Sequence, residues 1–257
     1  MTGHPAYGVV RPVTPVASVL LEDNPGSMTL DGTNTWLLRA PGADASIVVD
    51  PGYEDVEHLT RVADAGRVAL IVVTHGHPDH VQGAPWLAER TGAPVRAFDP
   101  ALCSGAAPLT DGETLAEAGL EVRVLHTPGH TDDSVCLAVT GEQGGAVLTG
   151  DTILGRGTTV ISALGPYLAT LRTLVALPAG TVALPGHGQE LPDVAAVAAE
   201  YLAHREQRLD QVRAALVELG PDATARQVVE LVYADVDRSL WGPAEWSVRA
   251  QLDYLRS

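Results

Sequence analysis

Apolar residues arrive along this chain in short, mostly β-branched runs separated by glycine- and proline-rich breaks, and only beyond about residue 190 does their spacing become purely helical. Val16 to Leu21, Asn34 to Leu38 and Ser46 to Asp50 read as strands. A turn-rich segment from Asn24-Pro25-Gly26 to Gly32-Thr33 joins the first two, and Pro51-Gly52 closes the third. Val56, Leu59, Val62 and Ala63 predict a helix from Asp55 to Ala65, ended by Gly66. The run Val68 to Val73 predicts a buried strand, followed by a helix from about Val81 to Arg90. Pro94 to Phe98 and Leu120 to Leu125 read as further strands, and Ser134 to Val139 with Ala146 to Leu148 as a hairpin-like pair across Gly141 to Gly145. Leu164 to Leu177 reads as a helix and Thr181 to Leu184 as a last strand. This order predicts two packed sheets flanked by helices.

From about Leu191 no strand pattern remains. Asp193 to Leu219 forms one long amphipathic helix, and Thr224 to Tyr233 and Pro243 to Leu255 complete a helical appendage, with Thr224 and Pro243 as start signals. Three such helices fit a winged-helix-like module or a helical cap over the sheets. The expected domains are therefore residues 1–189 and 190–257.

Charge narrows the partners. The formal net charge is −16, and all 16 basic residues are arginine, so lysine nucleophile or Schiff-base chemistry is excluded. From residue 190 onward seven arginines face twelve acidic residues, which is not the basic stripe of a nucleic-acid reader. Cys103 and Cys136 stand far apart, giving neither a disulfide framework nor a thiolate zinc knuckle. With no bilayer-length apolar run and no signal-like start, the expected compartment is the cytoplasm, with no membrane partner.

Chemistry concentrates in Thr74-His75-Gly76-His77-Pro78-Asp79-His80, directly after the apolar run of Val68 to Val73. Open α/β sheets place their sites at such strand ends. Gly76 and Pro78 predict an irregular loop. Imidazole is the commonest metal ligand, and three of them share this loop with a carboxylate. His75 and His77 can reach one metal, while Asp79 and His80 can turn to a second. Three later segments each add one ligand type beside glycine at a strand end: Pro128-Gly129-His130, Gly150-Asp151 and Gly186-His187. If these ends converge, they bring seven ligand candidates to one pocket.

Together, His75-x-His77-x-Asp79-His80, His130, Asp151 and His187 resemble the pattern of the metallo-β-lactamase superfamily. That resemblance implies an αββα sandwich, with His75, His77 and His130 on one metal, Asp79, His80 and His187 on the other, and Asp151 bridging both. Gly32-Thr33-Asn34-Thr35, Thr131-Asp132-Asp133-Ser134, Gly155-Arg156-Gly157-Thr158-Thr159 and His204-Arg205-Glu206-Gln207-Arg208 look like the lactamase-β-like hydrolases. That branch carries a helical C-terminal domain and includes a mitochondrial single-strand endoribonuclease. The likeness implies substrate contacts from Thr33, Asn34, Arg156, Thr158, His204, Arg205 and Arg208. Asp151 resembles the bridging carboxylate of glyoxalase II, which class B β-lactamases lack.

The leading expectation is a hydrolase with two zinc ions, manganese or iron also fitting the ligands, acting on a small thioester or related acyl substrate in the manner of glyoxalase II. Asp79 orients the nucleophile, and β-lactam hydrolysis is at most weak. The alternatives are an endoribonuclease acting on short single-stranded RNA and a non-catalytic metal-binding protein. The oligomeric state stays open.

Overall fold

The computed structural model describes residues 6–140 and 145–256. Six strands form the first sheet in sequence order: β1 (Val10–Thr14), β2 (Ala17–Leu21), β3 (Asn34–Leu38), β4 (Ala45–Val49), β5 (Arg67–Val72) and β6 (Val95–Arg96). Five more form the second: β7 (Thr114–Glu117), β8 (Leu120–His126), β9 (Val135–Thr140), β10 (Ala146–Gly150) and β11 (Val182–Pro185), in the order β11-β10-β9-β8-β7. The helices are α1 (Val56–Asp64), α2 (Pro78–Val81), α3 (Ala84–Thr91), α4 (Leu164–Val175), α5 (Val194–Leu219), α6 (Ala225–Val232) and α7 (Trp241–Arg256).

Alternation within the strands builds four layers. Trp36, Leu38, Ile47, Val49, Leu70 and Val72 point between the sheets and meet Val122, Val124, Leu137, Val139, Leu148 and Leu184. Their neighbours Leu37, Val48 and Ile71 point outward and pack with Leu59 and Val62 of α1 and Leu87 of α3. On the far side, Cys136, Val147 and Ala183 pack against Tyr167, Leu168 and Leu171 of α4 and Val194 and Ala198 of α5. Strands covered on both faces must be apolar throughout, which is why they read as unbroken runs. The result is the αββα sandwich.

The 26-residue helix α5 belongs to two cores. Its first half packs on α4 and the second sheet, whereas Val212 and Ala215 join Val228 and Val229 of α6 and Val248 and Leu252 of α7. No described helix is long and apolar enough to cross a membrane.

The elements depart from the expected ones in four places. β1 was not expected, because Pro12 and Pro15 interrupt its pattern; as an edge strand paired only with β2, it tolerates a proline. β7 was not expected either, since three of its four residues are exposed. β6 shrinks to two residues. Pro78 does not leave an irregular loop: it opens α2, where a missing N–H costs nothing, and the expected helix over 81–90 becomes α2 and α3. The turn at 141–144 lies outside the described residues.

His58 lies buried on α1, its Nε2 2.8 Å from the Thr35 hydroxyl. Burial lowers its pKa from 6.5 to about 4, against a smaller opposing pull from Asp55. The unfolded chain therefore binds this proton first as pH falls. The contribution of neutral His58 is intact above pH 6.5 and is lost on the way to pH 4, a loss of about 3 kcal/mol. In chelator, where metal release cannot contribute, His58→Gln is expected to become more stable relative to the parent by that amount between pH 7 and pH 4. Parallel denaturation profiles for the two proteins would contradict the assignment.

Candidate metal centre

The carboxyl ends of β5, β10 and β11 and the loop after β8 open on one edge of the sandwich. Each delivers ligands there: β5 leads to His75, His77, Asp79 and His80; β8 to His130; β10 to Asp151; β11 to His187. Two groups form among the described residues, His75, His77, His130 and Asp151 in one, Asp79, His80 and His187 in the other. All seven expected ligand residues are in these groups.

The distances indicate that both groups suit a cation. His77 Nδ1 lies 3.0 Å from His75 Nε2 and 3.0 Å from His130 Nε2. In the second group His80 Nε2 and His187 Nε2 are 3.2 Å apart, and Asp79 Oδ2 is 3.1 Å from His187 Nε2. Asp151 reaches both groups: Oδ1 is 3.5 Å from His80 Nε2 and 3.4 Å from His187 Nε2, and Oδ2 is 3.7 Å from His130 Nε2. Nitrogens on a tetrahedral zinc at 2.0–2.1 Å would be about 3.3 Å apart, close to these separations.

The surroundings fix which nitrogen faces inward for three of the five histidines. His130 Nδ1 donates to the Val160 carbonyl at 2.7 Å, His187 Nδ1 to the Gly32 carbonyl at 3.1 Å, and His80 Nδ1 to Asp50 Oδ2 at 2.9 Å. With the proton held on Nδ1, the Nε2 lone pair is left for a metal. Asp151 Oδ1 is buried with no hydrogen-bond partner among the described residues. At Gly186 a Cβ would lie 2.7 Å from His80 Cε1 and 2.8 Å from that same oxygen, so only glycine leaves the space open.

Electrostatics favour a cation too. Burial would raise the Asp151 pKa, but His187 and His80 overcome it and hold the carboxyl ionised, well below its ordinary range. Burial drives His75 and His130 down and keeps them neutral. Burial also opposes charge on His187, yet Asp151 and Asp79 raise it to about 10. In the metal-free chain it carries a proton that a metal would displace.

Asp50 is the functional residue that sequence reading missed. Its Oδ1 accepts from the Thr74 backbone N–H at 2.7 Å, and its Oδ2 from the Thr74 hydroxyl at 2.7 Å and from His80. The Thr74 hydroxyl lies 3.1 Å from His75 Nδ1, so one carboxylate steadies a ligand of each group. A buried aspartate at a strand end before Pro51-Gly52 was the available signal. Asp50→Asn places an amide N–H where a donor now needs an acceptor. Metal affinity, read by chelator competition, is expected to fall about 10- to 100-fold, and unchanged affinity would remove Asp50 from the site.

Most of the residues expected to touch substrate also make contacts within the chain. Thr33 is fully buried and receives the Asn24 amide, while Asn34 Nδ2 donates to the carbonyls of Pro185 and Gly188. These two hold the His187 loop against β3. Arg156 is paired with both oxygens of Asp31, and Thr158 is exposed. Arg205 is 3% exposed and donates to the Thr159 carbonyl. Arg208 lies over the Tyr233 ring, bonds Gln211 at 2.8 Å and reaches His204 Nε2 at 3.4 Å.

Comparison with known proteins agrees with this geometry. Residues 28–187 match the Metallo-beta-lactamase superfamily, and residues 224–257 match the Beta-lactamase associated winged helix domain. The chain is 34% identical to the Beta-lactamase-like protein 2 homolog of Drosophila melanogaster, over 92% of this chain and 86% of that protein. It is 30% identical to the atrochrysone carboxyl ACP thioesterase of Paecilomyces divaricatus, over 87% and 74% respectively. A metallo-beta-lactamase family protein of Thermus thermophilus superposes with a TM-score of 0.76 at 25% identity, over 95% of this chain and 94% of that one.

Proposed function

The chain belongs to the metallo-beta-lactamase superfamily and carries the associated winged-helix domain, and on that premise we propose that it is a dinuclear metal-dependent hydrolase of acyl thioesters. The observation that carries the dinuclear reading is Asp151, a buried carboxylate whose two oxygens each face a different ligand group. His75, His77 and His130 would hold one metal, Asp79, His80 and His187 the other, with Asp151 shared between them. Zinc, manganese and iron suit these donors. When bound, such a pair makes water a competent nucleophile near neutral pH and polarises the bond to be cleaved.

The protein's own groups fit a water-based hydrolysis. Asp79 keeps a carboxylate oxygen beyond the one facing His187, and its pKa is lowered: burial opposes ionisation, but the His187 bond and the His80 charge prevail. That free oxygen can orient an attacking water and accept its proton. The two side-chain nucleophiles that follow the His130 loop, Ser134 and Cys136, have no activating base among their hydrogen-bond partners in the described residues. Burial pushes the Cys136 thiol up to about 11, and Ser134 Oγ is engaged by Thr131 at 2.7 Å.

The acyl substrate is favoured by the state of the arginines. Phosphate backbones are gripped by free cationic groups, yet Arg156 is neutralised by Asp31, Arg205 is buried and Arg208 is stacked. A relative 30% identical is named as a thioesterase. The same engagement of these three arginines argues against their building a tight glutathione pocket, so in this reading the acyl group rather than an anionic leaving group supplies recognition.

The test is metal content by mass spectrometry, run beside a panel of neutral acyl thioesters, a glutathione thioester, a β-lactam and a fluorogenic single-stranded RNA. About two metals per chain, thioester turnover and no RNA cleavage are expected, with at most weak β-lactam hydrolysis. RNA cleavage without thioester turnover would replace this reading with an endoribonuclease. A metal-loaded protein inert to the whole panel would make it a binding protein.

A further inference from the structure

We infer that Arg205 and Tyr201 are positioning residues for His130, through which helix α5 sets the affinity of one of the two metal positions. This rests on the metal-binding reading above and adds to it a purpose for the C-terminal region, whose helices contribute no ligand.

Three contacts carry the inference. His130 Nδ1 has two neighbours on one loop, the Val160 carbonyl at 2.7 Å and the Thr159 hydroxyl at 3.1 Å. That loop is not held by the sheets alone. Arg205, buried on α5, donates from its guanidinium to the Thr159 carbonyl. One helical turn earlier, Tyr201 donates its hydroxyl to the Gly157 carbonyl at 2.6 Å and accepts from the Leu154 backbone N–H at 3.3 Å. Helix α5 thus grips the stretch of loop that leads into the His130 contact, at Leu154, Gly157 and Thr159.

The far face of the arginine is fixed as well. Its guanidinium lies 5.2 Å from the centroid of the Tyr167 ring, and the Tyr167 hydroxyl donates to the Thr152 carbonyl at 2.7 Å. Tyr167 also presses on the residue before His130: a Cβ at Gly129 would come 2.4 Å from Tyr167 Cβ, so the two backbones are in close approach. Arg205 therefore touches both supports of His130, the loop that accepts its Nδ1 proton and the ring of the tyrosine whose backbone packs on Gly129. A planar guanidinium with several donors suits this double task.

A group that fixes the tautomer and direction of a ligand histidine alters metal affinity about 10- to 100-fold without touching the metal. His80 and His187 are oriented instead by Asp50 and by the Gly32 carbonyl, which α5 does not contact through Arg205 or Tyr201. The effect must then be confined to the position built by His75, His77 and His130.

The experiment is stepwise zinc release to a chromogenic chelator from the zinc-loaded full chain, with the two steps assigned by His187→Ala. Arg205→Met is expected to weaken the His130-containing position about 10- to 100-fold and to leave the other within a few-fold. Tyr201→Phe and Thr159→Val are expected to act on the same step with smaller effect, and they carry the test if Arg205→Met does not fold. Arg205→Lys, which retains one donor, is expected to recover part of the loss. Leu209→Ala, in the same helix packing, controls for general destabilisation and is expected to lower thermal stability with both zinc steps unchanged. Equal weakening of both steps, a matching loss in Leu209→Ala, or two zinc ions held by Arg205→Met as tightly as by the parent would each overturn the inference while leaving the hydrolase reading intact. A parent chain that binds no zinc would overturn both.

Discussion

Asp151→Ala is expected to strip metal from both positions and to lower thioester hydrolysis by about a thousandfold, equivalent to about 4 kcal/mol of lost transition-state stabilisation. The magnitude follows from where the carboxylate sits. Its oxygens lie 3.4 to 3.7 Å from three different imidazoles, and its charge is the one that both ligand groups share. Without it, one group becomes three histidines with no counter-charge, and the other keeps only Asp79. Asp151→Asn retains the volume and one acceptor, so it separates loss of charge from loss of packing, and it is expected to fall nearly as far. Metal analysis and turnover on the same samples decide the matter. An Asp151→Ala protein that keeps two metals would show that the carboxylate does not bridge.

His130→Ala and His187→Ala are expected to split the site. His130 contributes one of the three imidazole nitrogens of its group, and His187 one of the three atoms in the other group. Removing His130 should therefore empty the first position and leave the second, whereas removing His187 should mainly weaken the second. Each change is expected to leave about one metal per chain and to reduce turnover at least a hundredfold, comparable with losing a transition-state contact. His187→Ala also frees the Gly32 carbonyl, so a modest loss of stability accompanies it. If both variants lose both metals equally, the division of ligands between the two positions is wrong.

The fold was legible in the sequence wherever burial on both faces made the strands continuously apolar, as in Ile47 to Val49 and Leu70 to Val73. It was illegible at β1 and β7, edge strands whose exposed faces carry no periodic signal. The ligand residues were legible because histidine and aspartate beside glycine, repeated at strand ends, have few uses other than a metal. Their supports were not. Thr74 and Asp50 lie 24 residues apart in sequence and Thr159 and His130 29 apart, and only the folded chain joins them. Arg205 shows the converse limit: the likeness implied a substrate contact there, and nothing in its motif announced that α5 turns the residue inward onto Tyr167 and the loop.

Neither sheet owns a complete set of ligands. His75, His77, Asp79 and His80 follow β5 in the first sheet, while His130, Asp151 and His187 follow strands of the second, and both groups mix the two. A cation held there would act as a clasp across the interface of the sandwich, closing a chain loop from residue 75 to residue 187. Its removal would let the halves part more readily, so metal occupancy should govern resistance to proteolysis and the rate of unfolding as much as activity. A chain that has taken up its metals thereby certifies that its two sheets have already docked.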